Sequence, residues 1–216
     1  MDDKDIMGFD VADVLSSVFK KLFYDRFVFA VSLIVGLLGL FVSYAALYLT
    51  PTVAASHFAM IIAGLIGAFL LEIYLNSLLI MRVINPKVAK TGKVLRTAGL
   101  KYLGFLATMV MFSVISAVGL IAFVIPGVFL FIKLFPAPAA YLDKKESPFR
   151  SLERSWNMTK GKWWEVFAVV IVLVLIAWVV EMIFGFFSPL AGAFLGSFIG
   201  TTVTISSGYV YNKLKR

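Results

Sequence analysis

The chain has 216 residues, 61% of them hydrophobic and 15% charged, with a mean hydropathy of +0.97. A soluble domain is about 45–50% apolar and about 25% charged, so this chain has too little polar surface to cover itself in water and reads as a polytopic membrane protein. The absence of cysteine excludes disulfides, thiolate metal sites and thiol nucleophiles, and a single histidine, His57, argues against an imidazole metal site; the formal net charge of +8 fits nucleic acid or anionic lipid, and its placement decides between them.

The first 26 residues are an amphipathic segment. Val11, Val14, Leu15, Val18, Phe19, Leu22 and Phe23 recur at helical spacing, with Asp13, Ser17, Lys20 and Lys21 opposite. Such a helix lies in the headgroup region, packs on the bundle, or does both. The extreme N-terminus, Met1-Asp2-Asp3-Lys4-Asp5, is acidic, unlike a signal peptide, so the first span is expected to be retained.

Six stretches are long and apolar enough to cross about 30 Å of hydrocarbon, at 27–49, 58–81, 100–124, 125–141, 163–184 and 190–211. Together they predict one all-α domain over 1–216, built as three transmembrane hairpins. Ile125-Pro126-Gly127 reads as the tight turn of the middle hairpin. A weak amphipathic segment at 86–101 precedes the third span. A clearer one follows the fourth: Ser147-Pro148 is an N-cap with a first-turn proline, Phe149, Leu152 and Trp156 share a face, and Gly161 ends the helix. Each hairpin is therefore expected to follow a cytoplasmic amphipathic helix.

Every Lys and Arg except Lys133 falls in the segments on one side of these spans, and the connections on the other side carry none. The positive-inside rule then places both termini in the cytoplasm, in a plasma-membrane protein. The basic excess points to membrane lipids, anionic ones above all, and not to nucleic acid. Lys20, Lys21, Arg150, Arg154, Trp156, Lys160, Trp163 and Trp164 are the expected headgroup interface.

Three ionisable residues fall inside spans: Glu72, Lys133 and Glu181. Unpaired at mid-bilayer, each costs about 2.5–3.5 kcal/mol on insertion scales. Counted along straight helices, Glu72 and Lys133 lie at similar depth, about 15 Å from the basic charges. They are expected to face each other or share a polar pocket with Asn76. Pro136 and Pro138 would leave the carbonyls of Ile132 and Leu134 without amide donors. The arrangement reads either as an ion or substrate site made with the broken turn, or as a neutralising buried pair plus a packing kink. In the sixth span Gly192, Gly196, Gly200, Thr204 and Gly208 form a small-residue ridge. Gly36, Gly39, Gly64 and Gly67 are its expected partners within the chain; a homo-oligomer is the other use of such a ridge.

The run Ile125-Pro126-Gly127, Lys133, Pro136 and Pro138, then Ser151-Leu152-Glu153-Arg154-Ser155-Trp156 and Lys160-Gly161-Lys162-Trp163-Trp164, resembles a broad group of six-span prokaryotic membrane proteins of unknown function. That group includes the membrane domain fused to some glycerophosphodiester phosphodiesterases. The resemblance covers about 119–167 and implies the six-span fold without an activity. The catalytic domain of those fusions is soluble and metal-dependent and has no counterpart here.

Catalytic triads, glycine-rich phosphate loops and paired aqueous carboxylates are absent from the sequence, and no cofactor or metal is implied. The sequence reading is a non-enzymatic, lipid-interacting or scaffolding membrane protein. The alternatives are a small transporter or channel using Glu72 and Lys133, and a membrane-embedded enzyme acting on lipid.

Overall fold

The computed structural model describes residues 10–48, 51–85, 91–144 and 146–215, and all of their regular structure is helical. The helices are α1 (Val11–Tyr24), α2 (Arg26–Tyr48), α3 (Pro51–Ile84), α4 (Thr91–Ala122), α5 (Val124–Leu134), α6 (Ala137–Asp143), α7 (Pro148–Met158), α8 (Trp163–Phe187) and α9 (Pro189–Leu214). Six segments are long and apolar enough to span a membrane: α2, α3, α4, the α5–α6 pair, α8 and α9. The protein is thus a multi-pass membrane protein, with α1 and the end of α9 at the same end of the bundle. An ion pair between Asp13 and Lys213 joins them.

Local chemistry sets most boundaries. Asp10 caps α1 by accepting from the amide of Ala12 at 2.9 Å. Asp25 stops α1 and starts α2, its Oδ1 accepting from the amides of Phe27 and Val28. Ser147 and Ser188 cap α7 and α9, each followed by a proline whose missing N–H would have had no partner in the first turn. Gly161 has φ of +77° between α7 and α8, a conformation that side-chain-bearing residues rarely adopt.

The connections opposite the termini differ from expectation. Segment 50–57, predicted as a loop, is helical from Pro51, and 185–189 shrinks to Ser188, because the Ser188-Pro189 pair is itself a helix start. His57 falls in α3, with its side chain outside the described residues. The middle hairpin turns at Phe123, which is extended (φ −162°, ψ 140°). Ile125-Pro126-Gly127 is the first turn of α5, where a proline breaks no hydrogen bond. Gly127 serves packing: a Cβ there would lie 2.5 Å from the backbone of Leu120. Of the weak amphipathic segment at 86–101, residues 86–90 lie outside the described ones, and the rest, from Thr91, is the start of α4.

Helix α9 is the hub, lying against α1, α2, α3, α6 and α8. Its small residues make this possible. A Cβ at Gly192 would meet the backbone of Gly185 and Glu181 on α8 at 2.6–2.7 Å, one at Gly196 would meet Glu181, and one at Gly208 would meet Val83 on α3. From α2, Gly36 and Gly39 close on Phe194, Ser197 and Ala193. Two expected contributors take no part: nothing lies within 4 Å of a Cβ at Gly200 or Gly67, and Gly64 makes only ordinary contact with Phe41.

The α1 amphipathic face is spent on the bundle, since Val14, Val18 and Leu22 are fully buried. Helix α7 packs on α4, α5 and α6 through Ser151, Leu152 and Ser155, with Trp156 half-buried against Phe129 of α5; Phe149, expected on the same face, is 67% exposed.

Candidate functional site

The break between α5 and α6 is closed by hydroxyl groups. The carbonyl of Lys133 accepts from Ser155 Oγ and Thr159 Oγ1, both at 2.9 Å, and that of Phe135 accepts from Ser207 Oγ at 3.1 Å. The carbonyl of Ile132, which Pro136 would have orphaned, takes the amide of Phe135 in a tighter turn. Pro138 sits in the first turn of α6, where it costs no bond. The carbonyls of Ile132, Lys133 and Phe135 are thus occupied by the protein's own donors.

Lys133 itself is 7% exposed. Its ammonium lies 5.7 Å from the ring centre of Phe129 and 5.5 Å from that of Trp156, within cation–π range. Among the described residues it has no ion pair and no hydrogen-bond acceptor. Trp163 Nε1 donates to the carbonyl of Phe129 at 3.3 Å, and its ring stacks on Phe129 and Phe167.

The expected meeting of Glu72 and Lys133 does not occur. Counting 1.5 Å per residue assumed a straight fourth span, but Pro136 breaks it. Lys133 then sits among α7 and the first turn of α8, while Glu72 stays with α2, α4 and α9. Glu72 borders two cavities. One, about 260 Å³, lies between α3 and α4 and includes Asn76, Met109 and Ser113; the other, about 330 Å³, is shared with Ser43, Glu181 and Ser197. Asn76 accepts from Thr204 Oγ1 at 3.3 Å, so its polar partner is α9. Glu181 is exposed on α8, with its side chain lying over Gly196 of α9.

At the end carrying the termini, α1, α2, α3 and the start of α4 enclose an open cavity of about 990 Å³. Lys20, Lys21, Arg26 and Arg82 face it with one carboxylate, Asp25. Burial alone would raise the Asp25 pKa. Hydrogen bonds from Lys21 and Arg82, the Lys21 charge and the Val28 amide outweigh that and hold it at about 2. Lys21 lies 2.8 Å and Arg82 3.0 Å from Asp25 Oδ2. Arg82 was not singled out from sequence; its place in the last turn of α3 was the available signal.

Of the expected headgroup residues, Arg154 is bound to Glu146 and Lys21 to Asp25. Lys20, Arg150 and Lys160 are exposed and form no ion pair with a described residue. Trp164 is 73% exposed, whereas Trp156 and Trp163 are half-buried around Lys133 and Phe129.

A profile for a domain of unknown function (DUF7847) matches residues 72–210. The chain belongs to the DUF7847 family. No curated protein and no solved structure matches it significantly. The DUF7847 match takes in the α5–α6 break, α7, the tryptophan pair and most of α9, and α1 and α2 precede it. It shows no link to the membrane domain of glycerophosphodiester phosphodiesterases.

Proposed function

We propose that the protein is a non-enzymatic membrane protein that holds anionic phospholipid at its basic end, and that this end faces the cytoplasm across the plasma membrane. The observation that carries the reading is the 990 Å³ cavity, where four cations face a single carboxylate. Two of them, Lys20 and Arg26, have no ion-pair partner among the described residues. A lipid phosphate would supply the missing charge, at about 1 kcal/mol per basic residue near an anionic surface. Phe23 and Tyr24, exposed at the end of α1, offer apolar surface beside it. The orientation follows from the one-sided placement of Lys and Arg. The transport alternative required Glu72 and Lys133 in one site, and their separation removes that basis.

Phospholipid co-purifying with the full chain in mild detergent tests the reading. K20Q/R26Q should weaken anionic-lipid retention about thirtyfold, and unchanged retention would refute it. For orientation, an impermeant amine reagent should reach Lys20 and Lys93 only after cells are permeabilised. Efficient modification from outside would reverse the topology.

A further inference from the structure

We propose that Lys133 and Lys160, walled by Trp156, Phe129 and Trp163, form a discrete site for the phosphate of an anionic phospholipid. The proposal rests on the reading that anionic lipid sits at the basic end, and it uses a surface separate from the α1 cavity.

The starting point is an ammonium with nothing to bond. A lysine carries three N–H donors. The Lys133 side chain is more than nine-tenths buried, and no described residue offers it an acceptor. The carbonyl of its own residue is already taken by Ser155 and Thr159. The rings of Phe129 and Trp156 attract the charge from two sides but leave its N–H groups unsatisfied. With no acceptor from a described residue, those N–H groups are left to solvent or to an external anion, which the two rings and the buried stem hold in one place.

The ammonium is also reachable. Ser116 Oγ is the sole fully enclosed side-chain polar atom without a partner among the described residues. Lys133 Nζ, equally unbonded, is therefore not sealed: the stem is buried and the tip touches the surface. Lys160, exposed, directly follows Thr159, whose hydroxyl is bonded to the Lys133 carbonyl, and acts on the ammonium as a second cation. Two cations brought together without a carboxylate make a locus for one anion. Around α7, Glu146 is committed to Arg154 and Glu165 to Lys162, and Glu153 is exposed on the helix face that carries Arg150 and Asn157.

The surroundings select a lipid. Trp163 opens α8, and its indole reaches Phe129 one turn from Lys133, so the site lies where a span begins and headgroups are found. Phe129 and Trp164 remain exposed beside it and offer acyl chains a surface. A phosphodiester whose headgroup is uncharged, as in phosphatidylglycerol, suits two lysines; the choline of phosphatidylcholine would add a third positive charge.

Native mass spectrometry of the full chain in detergent, titrated with phosphatidylglycerol and phosphatidylcholine of identical acyl chains, tests the site. Wild type should prefer phosphatidylglycerol by about tenfold, and K133M should lose that preference while K133R keeps most of it. K160Q, on an exposed position that leaves folding intact, should lower the preference about threefold and reports on the site even where K133M does not fold. K20Q/R26Q should retain it, which separates failure of this site from failure of the α1 cavity. Equal binding of the two lipids by wild type, undiminished preference in both K133M and K160Q, or loss of preference in K20Q/R26Q alone would overturn the proposal. Inorganic phosphate at millimolar concentration should not displace the lipid; displacement would assign the site to free phosphate and overturn the lipid source.

Discussion

Ser155 Oγ donates to the backbone carbonyl of Lys133 at 2.9 Å, so a helix outside the membrane spans supplies a donor to a broken one. An unmatched carbonyl in hydrocarbon costs several kcal/mol, which is why breaks at membrane depth survive only where protein or water satisfies them. Helix α7 is consequently part of the fourth span's hydrogen bonding.

Removing both hydroxyls should expose that dependence. S155A alone should cost about 1 kcal/mol because Thr159 still bonds the same oxygen; S155A/T159V should cost about 2–4 kcal/mol, more than the two single changes summed. Thermal unfolding in detergent measures both, and additive small losses would mean that the carbonyl finds another donor.

Asp25 predicts an acid limit. Its folded pKa of about 2 lies below the ordinary value of 3.8, so its contribution is complete above pH 3.8 and disappears as pH falls toward 2. The shift corresponds to about 2 kcal/mol. Wild type should lose about that much stability between pH 4 and pH 2 relative to D25N, whose stability at neutral pH is already lower. Parallel acid profiles for the two proteins would contradict the Lys21–Asp25–Arg82 network.

The glycines of α9 and of its expected partners on α2 and α3 should separate into two classes. G192A places a methyl group against the backbone of α8 at 2.6–2.7 Å, and G39A drives one into Ser197, so each should destabilise by about 1–3 kcal/mol. G200A and G67A meet nothing within 4 Å and should be neutral or stabilising by up to about 1 kcal/mol through helix propensity. Equal effects across the four would show that spacing, not contact, governs the ridge.

Glu72 and Lys133 share no partner, so their contributions should add. A double-mutant cycle with E72Q and K133M should give a coupling below about 0.5 kcal/mol. Strong coupling, with the double variant recovering stability, would restore the ion pair expected from sequence.

Much of this architecture was legible beforehand. Six apolar stretches, the clearing of Lys and Arg from one side, and the Ser147-Pro148 start of α7 each follow from hydropathy, charge or capping chemistry that acts within a few residues. The misplaced elements were those where local signals competed. Proline and glycine at 126–127 look like a turn, yet a proline in a helix's first turn breaks nothing, and Gly127 answers to Leu120 on another helix.

By itself the sequence determined the solvent. A chain with this hydropathy must satisfy its backbone within helices, and its basic residues must stay out of the hydrocarbon. Tertiary structure alone decided the partners of Lys133 and Glu72, because a break at Pro136 redirects the chain by an angle that no periodicity encodes. The hydroxyls of Ser155, Thr159 and Ser207 acquire their meaning only once distant helices bring them to the carbonyls left by that break.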